Sequence, residues 1–215
     1  MLSVEDLKNK IILDDCLNVL KQLPDKCVDL CLSDPPYGIG EDGGDKKRNR
    51  KYNRIVKHKN LGWDIRLTRK YFDEMFRVSK NQIIFGANYY TDFLPHSKGW
   101  IFWDKCIGGD FSDGELAFTS WKAGLRKITV SYTNGLKGGH DRVHPTQKPD
   151  LLFKMILEKW SEEGQIILDP FAGSGTTAIA CHDLKRNFIC IEKEPEYHAI
   201  ATKRYNEAKA QMTLF

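Results

Sequence analysis

Short apolar runs alternate with helical hydrophobic patterns along almost the whole chain, and this alternation constrains its fold most. The runs are short, bounded by turn residues and rich in Ile, Val, Leu and Phe, as buried strands are. Between them, apolar residues recur at spacings of three and four, which is typical of helices with one buried face. Strands that alternate with helices form βαβ units. The sequence therefore predicts an α/β fold, doubly wound around a mostly parallel sheet.

The strands predicted from this pattern fall at 11–13, 28–33, 82–85, 100–103, 115–120, 127–132, 166–169 and 188–192. Helices are predicted at 17–23, 68–80, from Pro149 onward, 176–184 and 195–211. The strands at 115–120 and 127–132 are close in sequence, which favours an antiparallel hairpin at one edge of the sheet. Because 215 residues suit one domain with a substantial core, residues 1–215 are predicted to form a single domain.

Composition restricts the location of the protein and its use of cysteine. No apolar stretch is long enough to span a bilayer, and the N-terminus lacks the apolar core of a signal peptide. The sequence therefore predicts a soluble, cytoplasmic protein. Six cysteines occur without any Cys-x-x-Cys pair, so reduced thiols and no metal site are expected.

Positive charge is concentrated in one segment, predicted to be a basic, disordered loop at about 41–62. Of the 33 Lys and Arg residues, eight lie between Lys46 and Lys59 with no acidic residue among them, which leaves 25 basic against 29 acidic residues elsewhere. Such a run favours contact with nucleic acid, although a solvated loop that contacts nothing is the alternative. The candidate DNA-binding residues are Lys46, Lys47, Arg48, Arg50, Lys51 and Arg54.

Two predicted strands end in an acidic residue followed by a distinctive turn. The strand at 28–33 leads into Asp34-Pro35-Pro36-Tyr37, and the strand at 166–169 leads into the Gly-rich segment Asp169–Thr177. In an open parallel sheet, ligands bind outside the carboxyl ends of the strands. We therefore expect these two corners of the sheet to line one cleft.

The Gly-rich corner suits a nucleotide-like cofactor. Gly173 and Gly175 permit close approach of the backbone, and the following helix directs its free N–H groups at the ligand. Glu192 ends the next strand, where a carboxylate commonly binds both ribose hydroxyls. The loop is not Gly-x-x-x-x-Gly-Lys-Ser/Thr, so a phosphate-binding NTPase is disfavoured. Asp169 would repel phosphate but attract an amine or a sulfonium. Alternatively, Asp169 caps the turn and Glu192 is an exposed charge.

The Asp34–Tyr37 corner suits a flat base with an exocyclic amine. Two prolines fix the backbone and remove two N–H donors, so a carboxylate and the Pro35 carbonyl remain as acceptors for the two amine hydrogens. Tyr37 offers a ring on which a base can stack. A base in a duplex would first have to leave the stack. The alternative is a plain turn with Tyr37 in the core.

Asp34-Pro-Pro-Tyr37 together with Asp169-Pro-Phe-Ala-Gly-Ser-Gly175 resembles the S-adenosylmethionine-dependent DNA amino-methyltransferases. The catalytic motif precedes the cofactor motif, which resembles the permuted beta group of that family. His144-Pro-Thr-Gln-Lys-Pro149 and Ile11-Ile-Leu-Asp-Asp-Cys16 match the group too. The resemblance covers nearly the whole chain and implies a Rossmann-like methyltransferase sheet, S-adenosyl-L-methionine as cofactor and a prokaryotic or phage-encoded enzyme.

The resemblance also implies residue roles. Asp34, Pro35, Pro36 and Tyr37 would bind and activate the target amine, and the segment Ile84–Tyr89 would border the base pocket. Glu192 would bind the ribose, Asp15 and Cys16 would face the adenine, and Lys148 would pair with the carboxylate of the cofactor. The complete implied cofactor set is Asp15, Cys16, Asp34, Thr146, Gln147, Lys148, Asp169, Phe171, Ala172, Gly173, Ser174, Gly175, Thr176, Glu192 and Lys193.

Asp-Pro-Pro-Tyr, rather than Ser-Pro-Pro-Tyr, is the form usual in the family for adenine N6 rather than cytosine N4 transfer. The prediction is therefore a site-specific adenine-N6 methyltransferase that acts on a flipped adenine in DNA. Cytosine N4 transfer, a non-catalytic DNA-binding protein, and transfer to RNA or a protein glutamine are the alternatives. The resemblance implies a target-recognition region between the two halves, and the segment at about 121–143 would be a short residual part of it, so base readout would come from Lys46–Lys59 or from a partner, or would be short and relaxed. We also expect a cognate restriction endonuclease as a partner, and a monomeric or homodimeric state.

Overall fold

A computed structural model describes residues 3–39, 62, 64–107, 112–132 and 147–212. Six α-helices are α1 (Val4–Leu7), α2 (Cys16–Leu20), α3 (Arg69–Val78), α4 (Asp150–Trp160), α5 (Thr176–Asp183) and α6 (Pro195–Met212), and Ala87–Tyr89 form a short 3-10 helix. Eight strands are β1 (Lys10–Leu13), β2 (Val28–Ser33), β3 (Ser79–Phe85), β4 (Trp100–Asp104), β5 (Gly114–Thr119), β6 (Arg126–Thr129), β7 (Ile166–Asp169) and β8 (Asn187–Glu192). These counts refer to the described residues.

The strands form one sheet in the spatial order β1-β8-β7-β2-β3-β5-β4-β6. The first five strands in this order are parallel, β5 is antiparallel to both β3 and β4, and β6 is parallel to β4. This arrangement confirms the mostly parallel α/β sheet predicted from the sequence.

The antiparallel hairpin is formed by different strands from those predicted. β5 pairs with β4, with Trp103 opposite Glu115, instead of with β6. A backbone hydrogen bond of 3.0 Å from Lys105 N to the Asp113 carbonyl continues this ladder beyond the two strands. β6 instead pairs with the other side of β4, where Ile128 is its one buried residue. Proximity in sequence therefore predicted the wrong strand pair. β4 lies between β5 and β6 in the sheet, so these two strands do not pair with each other.

Apolar side chains cover both faces of the sheet, as a doubly wound fold requires. On one face, Leu30 and Leu32 of β2 pack in a cluster with Leu152 and Ile156 of α4. On the other face, Cys31 of the same strand belongs to a cluster that includes α2 and α3. Successive residues of a strand point to opposite faces, so Leu30, Cys31 and Leu32 of β2 are all apolar because both faces of the strand are covered.

Four neighbouring parallel strands end at one edge of the sheet, and acidic residues lie at those ends. The register pairs Cys31 with Leu168, which places the end of β2 beside the end of β7. It also pairs Asp169 with Cys190 and Leu13 with Glu192, so the ends of β8 and β1 follow at the same edge. The turns after these strands therefore share the position where ligands bind in parallel sheets.

In the part of the chain that the structure describes, no helix is both long and apolar enough to cross a membrane. The described residues also contain no cluster of three or more His, Cys, Asp or Glu side chains arranged to hold a metal ion. The cysteines are free thiols, and five of the six are at least partly buried.

Candidate active site

Asp34 lies at the end of β2 with both carboxylate oxygens in hydrogen bonds. Oδ1 accepts from the Tyr37 hydroxyl at 2.5 Å, and Oδ2 accepts from Lys148 Nζ at 2.6 Å. The side chain is 17% exposed, so it borders the cleft without being open to bulk water. Burial raises the pKa of Asp34, while Lys148 opposes that effect. A partly buried carboxylate with two donors is held in a fixed orientation, as a group that binds an amine needs to be.

The Tyr37 ring is stacked on a second aromatic ring beside the cleft. Its centroid lies 5.0 Å from that of Tyr89, with 21° between the planes, and the Tyr89 side chain is 40% exposed. The buried Tyr90 hydroxyl donates a hydrogen bond to the Pro36 carbonyl and anchors the proline turn from below. Two stacked rings at the cleft offer an aromatic surface of the kind on which nucleobases stack.

Gly86 creates the space for the Tyr37 ring. Its φ is +60°, and a Cβ at this position would lie 2.0 Å from Tyr37 Cε1. We therefore expect Gly86→Ala to displace the ring, lower the free energy of unfolding by about 1–3 kcal/mol and reduce activity. Gly124→Ala is the matched control, because nothing lies within 4 Å of a Cβ there. Urea denaturation of both variants tests this expectation, and equal midpoints would contradict it.

Lys148 occupies the centre of a row of four charged side chains. Its ammonium lies 2.6 Å from Asp34 Oδ2 and 3.0 Å from Glu115 Oε2, and the other oxygen of Glu115 lies 2.6 Å from Lys105 Nζ. Burial would lower the pKa of Lys148, but the two carboxylates outweigh it and raise that pKa. Burial would raise the pKa of Glu115, but Lys148 and Lys105 hold it below its usual value. We call Asp34, Lys148, Glu115 and Lys105 the charge row.

The family resemblance implied Lys148 beside the carboxylate of a cofactor, and the structure gives it two carboxylate partners within the protein. The same residue also connects the two corners of the cleft. Its side chain contacts Asp34, while its backbone carbonyl accepts a 3.5 Å hydrogen bond from Thr176 Oγ1 at the start of α5. Gln147, the preceding residue, is buried.

Asp169 is buried at the end of β7 and shapes the first turn of the Gly-rich loop. It accepts a hydrogen bond from Thr177 Oγ1 and a 3.1 Å bond from the Phe171 N–H. Burial raises its pKa to about 7, even though these hydrogen bonds lower it. The nearby carboxylates of Asp34 and Glu192 raise it further. Asp169 therefore does cap the turn, and it is also a charge that is costly to bury without a cation.

Glu192 closes the loop from the next strand. Its Oε2 accepts from the Gly173 N–H at 2.8 Å and its Oε1 accepts from the Glu194 N–H at 2.8 Å. The side chain is buried rather than an exposed charge, and burial raises its pKa. Gly175, with φ of +82°, is held by a 2.8 Å bond from its N–H to the Ala172 carbonyl. Ala172, Ser174 and Thr176 are buried around this turn.

Asp15 and Cys16 follow β1 and lie beside Glu192. Asp15 Oδ1 caps α2 by accepting from the Leu17 N–H at 2.8 Å, and the Asp14 N–H bonds to the Glu192 carbonyl at 3.2 Å. The Tyr71 hydroxyl donates to Asp15 Oδ2 at 3.3 Å, and the Tyr71 ring lies 6.3 Å from that of Phe171. Two aromatic side chains therefore lie where the resemblance implies an adenine.

For some predicted site residues, the structure gives no position or a position with few contacts to the site. Thr146 and the six basic residues from Lys46 to Arg54 lie outside the described residues, as do most of 41–62 and the second half of 121–143. Lys193 is described, and its half-exposed ammonium lies 3.8 Å from Glu194.

Sequence reasoning did not identify several residues that complete the site. Glu115 and Lys105 come from β5 and the turn after β4, and no motif marks either of them. Tyr71 belongs to α3, for which the sequence predicted a helix at 68–80 but no functional residue. Arg204 of α6 is buried and donates to the Ser174 carbonyl at 2.5 Å, with Asp150 Oδ1 at 3.2 Å. The sequence does offer one signal for this residue, since Arg204 stands among the apolar residues that form the buried stripe of α6.

Residues 112–203 match the N6_N4_Mtase family, described as DNA methylase. The Type II methyltransferase M.HpaI of Haemophilus parainfluenzae is 26% identical over 92% of this chain and 74% of its own length. The Type II methyltransferase M2.DpnII of Streptococcus pneumoniae is 28% identical over 92% of this chain and 90% of its own. The chain is a relative of the DNA amino-methyltransferases.

Solved structures support the fold of this relative of the DNA amino-methyltransferases. The M1.HpyAVI–SAM complex superposes with a TM-score of 0.59 at 24% identity, over 92% of this chain and 98% of that one. PvuII DNA methyltransferase, titled cytosine-N4-specific, superposes with a TM-score of 0.64 at 16% identity, over 91% and 86%. At these identities the likeness confirms the Rossmann-like methyltransferase fold.

Proposed function

We propose that this chain transfers the methyl group of S-adenosyl-L-methionine to the N6 amine of adenine in DNA. The observation that carries the proposal is the adjacency of the two corners. Asp34 follows β2, Asp169 ends β7, and these strands are parallel neighbours, with Lys148 in contact with both corners. A site for an amine therefore lies beside a site for a cationic cofactor.

The side chains at the Gly-rich corner fit this cofactor. Glu192 accepts backbone N–H groups at both oxygens, and because each carboxylate oxygen has two lone pairs, the group can also accept from ribose hydroxyls. Asp169 is a buried carboxylate without a cationic partner among the described residues. A sulfonium or an amine would supply that missing charge. Asp15, Cys16, Tyr71 and Phe171 would then surround the adenine.

The residues of the Asp34–Tyr37 corner would bind and align the target amine. When bound, the cofactor supplies an electrophilic methyl group on its sulfonium. Asp34 and the Pro35 carbonyl accept hydrogen bonds from the two amine hydrogens, which favours a pyramidal nitrogen with its lone pair directed at the methyl group. Tyr37 stacks on the flipped base. Because reacting atoms about 3–3.5 Å apart account for much of the acceleration in such reactions, alignment is the main contribution of these residues.

Adenine is favoured over cytosine because Asp34 begins the motif where serine is usual for cytosine N4 transfer. Sequencing of methylated genomic DNA from a host that expresses this chain tests the proposal, since it identifies both the base and its surrounding motif. N6-methyladenine at a short fixed motif is the expected result. N4-methylcytosine would support the alternative substrate, and unmodified DNA would contradict methyl transfer. A restriction endonuclease partner, the oligomeric state and DNA contacts by the 41–62 segment stay predictions.

The raised pKa of Asp169 leads to a pH prediction for cofactor binding. Since this pKa is about 7, the carboxyl is partly protonated near neutral pH in the free protein. A bound sulfonium favours the ionised form, so binding releases a proton, and affinity should rise with pH through about 7 by at most about tenfold per unit.

Calorimetric titration with S-adenosylmethionine and with S-adenosylhomocysteine, whose sulfur is uncharged, separates this effect from other titrations. The dissociation constant of S-adenosylmethionine divided by that of S-adenosylhomocysteine should fall between pH 6 and pH 8 in the wild type. In Asp169→Asn this ratio should be independent of pH. A ratio independent of pH in the wild type would show that Asp169 does not face the sulfonium.

A further inference from the structure

The charge row contains one acceptor that is not fully used. Glu115 Oε2 is buried and accepts no hydrogen bond of good geometry among the described residues, although Lys148 Nζ lies 3.0 Å away. Lys148 Nζ carries three N–H donors and directs one of them to Asp34 Oδ2 at 2.6 Å. A small rotation of the ammonium would therefore exchange one carboxylate partner for the other within the same buried site.

An exchange of Lys148 from Asp34 to Glu115 would matter during the reaction, when the charge of Asp34 changes. Formation of the N–CH3 bond, with cleavage of the S–CH3 bond, leaves the amine nitrogen positively charged. An N–H bond then breaks, its electron pair stays on nitrogen, and the proton passes to the Asp34 carboxylate. At that moment Lys148 loses the nearer of its two anionic partners, and only Glu115 is left to pair with it. A buried ammonium without a partner is costly, and removal of one member of a buried ion pair typically costs about 3–5 kcal/mol.

We propose that Glu115 is a positioning residue for methyl transfer, which keeps Lys148 paired while Asp34 takes up the proton of the reacting amine. Lys148 then turns from Asp34 Oδ2 towards Glu115 Oε2, and it returns when Asp34 gives the proton to water. Lys105, 2.6 Å from Glu115 Oε1, fixes Glu115 in place and limits how strongly it attracts Lys148. This inference rests on the proposed function.

The electrostatic environment of Asp34 is consistent with this role. Among the described residues, the titratable groups that face Asp34 are Tyr37 from its own turn, Lys148 from the segment before α4, Glu115 from β5, Asp169 from β7 and Tyr90 from the segment after β3. Glu115 raises the pKa of Asp34 by like-charge repulsion, and Lys148 lowers it. The presence of Glu115 therefore makes Asp34 a better proton acceptor than Lys148 alone would allow.

Two substitutions should move the pH profile of single-turnover methyl transfer in opposite directions. Glu115→Gln removes the repulsion, so the acid limb should shift to lower pH by on the order of one unit, and the plateau rate should fall roughly three- to tenfold. Lys105→Met frees Glu115 to attract Lys148, so the acid limb should shift to higher pH. Glu163→Gln is the matched control, since this exposed carboxylate lies 3.9 Å from Lys185 and outside the site.

The readouts distinguish positioning from damage to the fold or to cofactor binding. Cofactor affinity should stay within about twofold of the wild type in both variants, and Glu115→Gln should have no further effect on the residual rate of Asp34→Asn. Shifts in the same direction, an unmoved acid limb, or a loss of cofactor affinity that matches the loss of rate would overturn the inference. Absence of methyl transfer by the wild type would instead contradict the proposed function itself.

Discussion

Replacement of Asp34 with asparagine is expected to lower the single-turnover rate of methyl transfer by a factor of about 10²–10⁴, the range for a positioned acid–base group. Asparagine retains the size of the side chain, and its carbonyl oxygen can still accept from the Tyr37 hydroxyl. Its NH2 group, however, would replace the oxygen that now lies 2.6 Å from Lys148 Nζ. The variant therefore loses the negative charge and one acceptor that the target amine requires.

Cofactor binding should remain within a few-fold of the wild type in Asp34→Asn, because the loop contacts of Asp169 and Glu192 do not involve Asp34. Lys148 would retain Glu115 as a partner, so the fold should persist. Asp25→Asn provides the control, since this carboxylate is 75% exposed and pairs with Arg77 away from the cleft. Rates near the wild-type value in Asp34→Asn would show that the carboxylate does not activate the amine.

Replacement of Glu192 with alanine should abolish measurable cofactor binding at ordinary concentrations. The substitution removes the acceptors of two backbone N–H groups, each at 2.8 Å, and the proposed partners of the ribose hydroxyls. Hydrogen bonds to a charged group contribute about 1.5–3 kcal/mol each, so the loss of two corresponds to a fall in affinity of about 10²–10⁴. Isothermal titration with S-adenosylmethionine measures this change.

Glu194→Ala is the matched control for that experiment. Glu194 contributes its backbone N–H to Glu192 Oε1, a contact that survives truncation of its own side chain. Its side chain otherwise lies 3.8 Å from Lys193, so cofactor affinity should change little. Equal affinities of Glu192→Ala and Glu194→Ala would remove Glu192 from the ribose site and require another carboxylate there.

The elements that could be predicted from the sequence are those whose signals are local. The bounds of β2 and β7 agree with the predicted strands, because each is an apolar run buried on both faces and ended by an Asp-Pro pair. The Gly-rich corner could also be predicted from the sequence, since Asp169 contacts Phe171 and Thr177, which follow it closely along the chain. Local backbone geometry determines such contacts, and so the motif alone indicates them.

Features that depend on distant parts of the chain could not be predicted. Lys148 contacts Asp34 across 114 positions of sequence, and Glu115 joins them from a strand whose alternation carries no sign of function. The hairpin assignment was wrong for a related reason. β5 pairs with β4 on one side and with β3 on the other. Burial of the whole sheet decides this pairing, and the short distance in sequence between β5 and β6 does not.

The central claim is that two corners of one sheet edge act together on adenine. The most direct measurement incubates the purified chain with DNA and S-adenosylmethionine carrying a labelled methyl group, digests the DNA and identifies the labelled nucleoside by mass spectrometry. Label in N6-methyl-2′-deoxyadenosine with the wild type, and labelling at least about a hundredfold slower with Asp34→Asn, is the predicted result. Absence of label in any nucleoside, or equal labelling by the wild type and Asp34→Asn, would contradict the claim.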